Sequence, residues 1–174
     1  SFIAPSVDFT IGGGEISAGL IRTLTVGTVT GLTLDPFKIQ LAAGTNADRV
    51  KFTFANAVRM DLDIQARVTE IKGGQNIFGI WLLRSGVDKI TIAGDLAAEI
   101  NVPTAAAFPV AIGTLKTGFL TLQGEIGGAI GTIDAANIGN GAIGADGPIG
   151  TIKSRGDQMN MDIQEAGTWM KMMR

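Results

Sequence analysis

The chain has 174 residues, of which 25 are glycine, 45% are hydrophobic and 17% are charged, and its formal net charge is -2. This length fits a single domain over residues 1–174, and so small a net charge provides no basic field for a nucleic-acid backbone. Cysteine, histidine and tyrosine are absent, which removes thiol nucleophiles, disulfides and the thiolate or imidazole ligands of metal sites, so we expect neither a metal nor a cofactor. The longest apolar stretch, residues 100–115, is interrupted by Pro103 and Pro109 and is too short for a membrane span.

The N-terminal segment, residues 1–20, contains Pro5 and a run of three glycines, Gly12–Gly14. Proline and consecutive glycines interrupt regular strands. We therefore expect this segment to form an irregular cap or a strand that exchanges with a neighbouring molecule.

Residues 21–163 contain a degenerate repeat. Two apolar residues separated by two spacers, then a short polar or glycine step and an alternating apolar run, begin at Ile21, Val50, Val68, Val87, Ile112, Ile130 and Ile149. Four of the six intervals between these starts are 18 or 19 residues long, and the two longer ones hold predicted inserted loops, Asp35–Arg49 and Pro103–Ala111. Alternation with glycine between the segments indicates short strands separated by corners. The expected fold is all-β, a right-handed parallel β-solenoid of about seven short rungs with a cap at each end.

Equivalent residues of successive rungs should superpose about 4.8 Å apart, so the seven block starts should form one inward row of side chains. The second apolar residue of each block should form another inward row, with a one-residue slip at Phe52. The members of this second row are Leu24, Phe52, Ile71, Ile90, Leu115, Ile133 and Ile152. Strands this short are not stable alone, so the rows must supply the core.

Residues 164–174 include Trp169, Met170, Met172 and Met173 and are expected to form a C-terminal cap. We predict a short amphipathic helix that closes the apolar core, and docking of this Met-rich tail on a neighbouring subunit is the alternative. The competing fold is a β-sandwich fibre subunit in which residues 1–11 complete a neighbour. It predicts antiparallel strands and leaves the interval of 18 or 19 residues unexplained.

Two short motifs match binding sequences of other proteins, but here we expect both to be turns of the repeat. Gly139–Gly144 matches the G-x-G-x-x-G nucleotide-binding pattern, yet Asp146–Pro148 would end any helix at once, so a solenoid corner is expected. The tripeptide Arg-Gly-Asp at 155–157 spells an integrin-binding sequence but stands where other repeats turn. Ser154 and Lys153 point to opposite faces of a strand, so no catalytic residue is assigned and the chain is not expected to be an enzyme.

Outward positions of the last strand of each block carry carboxylates at Asp35, Asp61, Asp63, Glu99, Glu125 and Asp162. Residues two apart on a strand share a face, which gives the spacing of a cation site or of glycosidase carboxylates. A solvated acidic face is the preferred interpretation, because no cluster of arginine, tyrosine or histidine lies nearby to bind a sugar.

On the first strand of each block, one outward row is expected to be basic and to alternate in charge over the last three rungs: Lys72, Thr91, Lys116, Asp134 and Lys153. We expect this face to pair with the acidic face of another subunit, so that copies of the chain form an oligomer or polymer. The residues of that predicted interface are Lys72, Lys116, Lys153, Asp63, Glu125 and Asp162.

Phe78 and Trp81 are expected to form an exposed aromatic patch, because Trp81 lies between Ile80 and Leu82, which we assign to the core. Such a patch suits sugar stacking or a subunit interface. The alternative is that the Asp35–Arg49 insertion folds over Trp81.

The Ile-Gly-Thr-Ile units at 130–133 and 149–152, with Ile-Gly-Thr-Leu at 112–115, loosely resemble the glycine-rich β-solenoid repeats of bacterial and archaeal cell-surface proteins. The resemblance covers residues 112–163 well and 21–102 poorly, and it names no specific family. It implies an extracellular or cell-surface protein with a structural role in a filament, sheath or surface layer. The alternative is an adhesive or carbohydrate-binding module, such as a viral fibre segment, whose partner would be a glycan.

Overall fold

The computed structural model describes residues 2–4, 14–31, 35–45, 47–103, 109–156, 161–165 and 168–172, and within them the chain contains strands and no helix. In chain order the strands are β1 (Phe2–Ala4), β2 (Glu15–Ala18), β3 (Thr23–Thr30), β4 (Phe37–Leu41), β5 (Arg49–Val58), β6 (Met60–Ile64), β7 (Arg67–Gly73), β8 (Ile77–Leu83), β9 (Val87–Ile92), β10 (Asp95–Asn101), β11 (Val110–Ile126), β12 (Ala129–Ile138), β13 (Gly141–Ala145), β14 (Ile149–Ser154), β15 (Met161–Glu165) and β16 (Thr168–Met172).

The strands stack in parallel and form a β-solenoid of about seven turns. All pairings between the described strands are parallel except the last, between β15 and β16. The predicted parallel β-solenoid is therefore confirmed. The alternative β-sandwich is wrong, because its strands would have antiparallel neighbours.

Each turn has three sides, because the pairing follows three rows along the stack. The first side is formed by β1, the starts of β3 and β5, then β7, β9, the starts of β11 and β12, and β14. The second side is formed by the ends of β3 and β5, the starts of β8 and β10, the middle of β11 and the end of β12. The third side is formed by β2, β4, β6, the ends of β8, β10 and β11, then β13 and β15. Where β3 passes from the first side to the second, Val26 and Gly27 are both buried, so the alternation breaks at the corner.

The pairing register confirms the second inward row predicted for the first side, and it confirms the first row from Val50 onward. The first row of successive partners is Val50, Val68, Val87, Ile112, Ile130 and Ile149, and Ile21 packs against the core at its start. The second row is Leu24, Phe52, Ile71, Ile90, Leu115, Ile133 and Ile152. The slip at Phe52 is also present, since the register shifts between Val50 and Lys51.

The second and third sides contribute their own inward rows. On the second side the partners are Val29, Ala57, Ile77, Leu96, Leu120 and Ile138. On the third side they are Ile16, Ile39, Leu62, Trp81 and Ile100. Each large aliphatic side chain that is fully buried stabilises the fold by about 1.5–3 kcal/mol, so these rows together form one continuous core.

The glycine of the Ile-Gly-Thr-Ile units is required by the close approach of successive turns. A Cβ added to Gly131 would lie 2.4 Å from the carbonyl oxygen of Gly113, and one added to Gly150 would lie 2.6 Å from that of Gly131. Because these contacts are with backbone, a side chain could not be accommodated by a change of rotamer. This explains why glycine occupies the same position in three consecutive turns.

A buried arginine that the sequence did not indicate connects three turns at a corner. Arg67 is 5% exposed. Its Nε donates to Asp88 Oδ1 at 2.7 Å, and its two terminal nitrogens donate to the carbonyl oxygens of Ser85 at 2.9 Å and Val110 at 3.1 Å. The carboxylate balances the charge and the carbonyls satisfy the remaining donors, which is the condition for burying a cation.

The two long intervals of the repeat are occupied differently. The Asp35–Arg49 interval contains β4, which takes the third-side position of its turn between two connections, and the expected strand at 32–34 lies outside the described residues. The second interval follows Val102 and ends where β11 begins, and its residues 104–108 also lie outside the description.

The helix predicted for the C-terminal cap is wrong, because β16 is a strand that pairs antiparallel with β15. Glu165 faces Thr168 and Met161 faces Met172 across this pair. A helix of about ten residues is marginal in water, whereas the open edge of β15 offers hydrogen bonds to a returning strand at once. The strand therefore covers the outer edge of the last third-side strand.

Candidate functional site

The first side presents an outward basic row in the predicted register. Lys72 and Lys116 are both partners of Thr91, and Lys116 is followed by Asp134 and then by Lys153. Lys72 and Lys116 are two turns apart, a separation of about 10 Å. The three lysines are exposed, and in the described part of the chain none has an ion-pair partner within 4.0 Å, whereas Asp134 binds Arg155 at 2.7 Å.

A second outward row on the same side contains a compensated group of charges. Lys51 Nζ lies 2.6 Å from Glu70, and Lys89 Nζ lies 3.6 Å from the same carboxylate. The hydrogen bond from Lys51 lowers the pKa of Glu70. We call the two outward rows of the first side the basic face, whose charged residues are Lys51, Glu70, Lys72, Lys89, Lys116, Asp134 and Lys153.

The third side carries the opposite charge on its outer surface. Five of the six predicted carboxylates lie there in two outward rows, and Asp35 lies apart, in the bend before β4. We call these rows the acidic face, whose charged residues among those described are Glu15, Lys38, Asp61, Asp63, Glu99, Glu125 and Asp162. Arg84 donates two hydrogen bonds to Asp63, at 2.7 and 3.0 Å, and they raise the pKa of Arg84.

Several side chains of the acidic face are held by bonds to the next turn or to each other. Asp61 Oδ1 accepts the backbone N–H of Ile80 at 2.8 Å. Asn101 accepts the backbone N–H of Glu125 at 3.1 Å and donates to Glu99 at 2.8 Å. The carboxylates of Asp61 and Glu99 therefore have defined positions. Among the described residues, however, no three acidic side chains come close enough to hold a metal ion.

The predicted position of Trp81 is wrong, because its side chain is 0% exposed and its Nε1 donates to the carbonyl oxygen of Met60 at 3.0 Å. The buried positions of β8 are those of Trp81 and the alternate residues around it, one out of phase with the expectation. Gly79 leaves the space, since a Cβ there would lie 3.2 Å from the indole nitrogen and closer still to Met60. The exposed apolar patch consists instead of Phe78, 36% exposed, and Ile80, 40% exposed.

The alternative for Trp81 is burial under the Asp35–Arg49 insertion. The side chain is buried, but that insertion does not cover it. Trp81 pairs in register with Leu62 on one side and Ile100 on the other, so neighbouring turns bury it within the core. β4 contributes to this core two turns away rather than as a flap.

The short motifs occupy turns and strands. Gly141–Ala145 forms β13, so no helix follows the G-x-G-x-x-G pattern at the place where a phosphate would need one. Arg155 and Gly156 lie in a bend, and Asp157 lies outside the described residues. The hydroxyl of Ser154 donates to the carbonyl oxygen of Gly156 at 3.3 Å.

Shallow depressions lie along the acidic face. One, of about 430 Å³, is lined by Lys38, Asp61, Asp63, Ile80 and others. Another, of about 320 Å³, lies at the corner between the second and third sides and includes Arg59. No local sequence pattern indicates Arg59, because its position depends on the backbone turn between β5 and β6.

No protein-family model, curated protein or solved structure matches the chain. No helix in the described part of the chain is long and apolar enough to cross a membrane.

Proposed function

We propose that the chain is a structural, non-catalytic subunit that associates with copies of itself, the basic face of one against the acidic face of the next, in an extracellular filament, sheath or surface layer. The observation that supports this most is the opposite charge of two outer surfaces of one solenoid. The basic face has five lysines against two carboxylates, and the acidic face has six carboxylates against one lysine. The extracellular location comes from the resemblance of the repeat.

The spacing of the charges supports the same contact. Lys72 and Lys116 are separated by two turns, and so are Asp61 and Glu99, which face the two sides of Ile80 in one outward row. Both pairs therefore repeat at about 10 Å along the axis. Since the two faces are different surfaces of the chain, the contact is heterologous and propagates from copy to copy.

The strength of this contact must come from the number of ion pairs that form together. An exposed ion pair stabilises a complex by about 0.2–1 kcal/mol, so a single pair would not hold two copies together. Several pairs aligned along two stacked faces add their contributions, and salt screens all of them over about 3 Å at 1 M ionic strength. Association should therefore be sensitive to salt.

The last turn provides a second surface for association. Ile149 and Ile152 are only partly buried, whereas Ile130 and Ile133 of the preceding turn are 1% and 0% exposed. Among the described strands β14 pairs only with β12, so none of them pairs with its other edge. An open strand edge beside half-exposed aliphatic side chains favours pairing with another chain.

The first experiment compares single charge reversals by light scattering and negative-stain imaging at low salt. Lys116→Glu should reduce assembly strongly because it places a carboxylate opposite the acidic face. Arg22→Glu is the matched control, since it changes net charge equally at a corner where Arg22 binds Asp48 and is 67% exposed. Assembly that is insensitive to both salt and Lys116→Glu would refute the proposal.

The second experiment tests which faces meet. A variant with Lys72→Glu and Lys116→Glu, and another with Glu99→Lys and Glu125→Lys, should each assemble poorly alone. Mixed together they should assemble again, because the reversed basic face of the first is complementary to the reversed acidic face of the second. Failure of the mixture to assemble, with both variants folded, would show that other surfaces make the contact.

A further inference from the structure

The turn between β5 and β6 places an arginine in an unusual backbone conformation. Among the described residues, Arg59 is the one residue other than glycine that has a positive φ, 54°. This left-handed region is unfavourable for a side chain with a Cβ and is usually occupied by glycine or asparagine. Strain of this kind is often found where a side chain must be presented to a ligand.

The Arg59 side chain also has an unsatisfied donor. Its Nε is buried and makes no hydrogen bond within the described part of the chain. A buried N–H without an acceptor costs free energy, which a ligand with an oxygen acceptor would recover. Arg59 lines the depression of about 320 Å³, which is open to solvent at its mouth.

The depression, which we call the Arg59 site, combines one cation with apolar and polar walls. Phe78 and Ile80 are among the few large apolar side chains exposed on the described surface. Glu99, Thr121 and Gln123 also line the depression and carry carboxylate, hydroxyl and amide groups. The register sets Arg59 and these residues on four consecutive turns, so the depression extends about 14 Å along the axis.

We propose that the Arg59 site binds a sugar-acid unit with one carboxylate, such as a glucuronate unit in an otherwise neutral glycan. The carboxylate would accept hydrogen bonds from Arg59, which presents a planar donor suited to that group. The hydroxyls of the same unit would donate to Glu99, two turns from Arg59, and the apolar face of the ring would lie on Phe78 and Ile80 between them.

The charge around the site selects against other anions. Glu99 is part of the wall, and Asp61 lies on the same acidic face next to Ile80. A polyanion would bring additional charges against these carboxylates, whereas a single carboxylate among hydroxyls would not. This binding goes beyond the proposed structural role and does not depend on it.

The test uses the Lys116→Glu variant, so that assembly and sugar binding are measured independently. Calorimetric or NMR titration with methyl glucuronide should show binding at least about tenfold tighter than with methyl glucoside, which lacks the carboxylate. Arg59→Lys should reduce this preference and Arg59→Asn should abolish it. Because asparagine tolerates a positive φ, Arg59→Asn should not lower the unfolding temperature.

Two further variants define the outcome. Phe78→Ala should weaken the binding of methyl glucuronide and of methyl glucoside to a similar extent, because both sugars have the apolar ring face that Phe78 would contact. Arg84→Gln is the matched control, an arginine just beyond the end of β8 that is already bound to Asp63, and it should leave binding unchanged. Equal binding of the two sugars, absence of binding by both, equal binding of an acidic peptide, or retention of the preference in a folded Arg59→Asn variant would overturn the assignment.

Discussion

The first and third sides of the solenoid are stacked in the same way but filled by different side chains. On the first side the two predicted inward rows repeat valine, isoleucine or leucine from turn to turn, interrupted only by Phe52. On the third side the row passes from Leu62 to Trp81 to Ile100, and Gly79 provides space for the indole. A uniform row determines its own register, whereas a mixed row depends on neighbours that compensate for differences in size.

The largest expected effect comes from the third side, where Trp81 is the largest side chain of its row and is fully buried. Trp81→Ala should reduce the free energy of unfolding by about 3–5 kcal/mol, because it leaves a cavity and removes the hydrogen bond to Met60. The neighbouring Ile80→Ala should cost less than about 1 kcal/mol, since Ile80 is 40% exposed. Urea unfolding of both variants measures the two losses of free energy. A larger loss for Ile80→Ala than for Trp81→Ala would show that Ile80, and not Trp81, lies in the core.

The first side predicts a graded effect along one row. Ile133→Ala should cost about 3 kcal/mol, because the side chain is 0% exposed with partners above and below. Ile152→Ala, the same change one turn later, should cost about 1 kcal/mol, because Ile152 is only partly buried. Chemical unfolding in the Lys116→Glu background measures both without assembly. Equal losses would mean that the last turn is covered as fully as the one before.

The smallest effect concerns the outer surface of the first side. The pKa of Glu70 is lowered in the folded chain, chiefly by the hydrogen bond from Lys51. A lowered folded pKa means that this contribution is present above the unfolded pKa, about 4.3, and is lost as the pH falls through the folded pKa. Between pH 7 and pH 3 the wild-type chain should therefore lose slightly more stability than Glu70→Gln, by less than about 1 kcal/mol.

The measurement for Glu70 is the urea midpoint of both chains at the two pH values. All other carboxylates are common to the pair, so the difference isolates this ion pair. A greater loss in Glu70→Gln than in the wild-type chain would contradict the direction of the shift.

The contrast between the sides also explains what could be predicted from the sequence. The first-side rows were predictable, including the slip at Phe52, because β-branched and aliphatic residues recur at a nearly constant interval beside glycine. The outward row from Lys72 to Lys153 followed from the same register by alternation. In each case the local pattern and the stacking favour the same arrangement.

The predictions that are wrong concern segments whose pattern of apolar residues fits more than one structure. In Ile80-Trp81-Leu82-Leu83 both phases of the strand are apolar, so the sequence could not show which residues face inward, and only the packing against Leu62 and Ile100 decides it. β16 contains residues that also favour a helix, and the open edge of β15 determines its conformation. Arg59 and Arg67 depend on turn geometry and on carbonyl groups from distant turns, which no local pattern reports.

Cross-linking tests most directly whether the basic face of one copy contacts the acidic face of another. The chain has no cysteine, so Lys116→Cys and Glu99→Cys each introduce a single thiol. Mixed at low salt under mild oxidation, the two variants should form the mixed disulfide dimer in excess over either homodimer, and 1 M salt should suppress it. Homodimers alone, or no cross-link from assembled protein, would contradict the account.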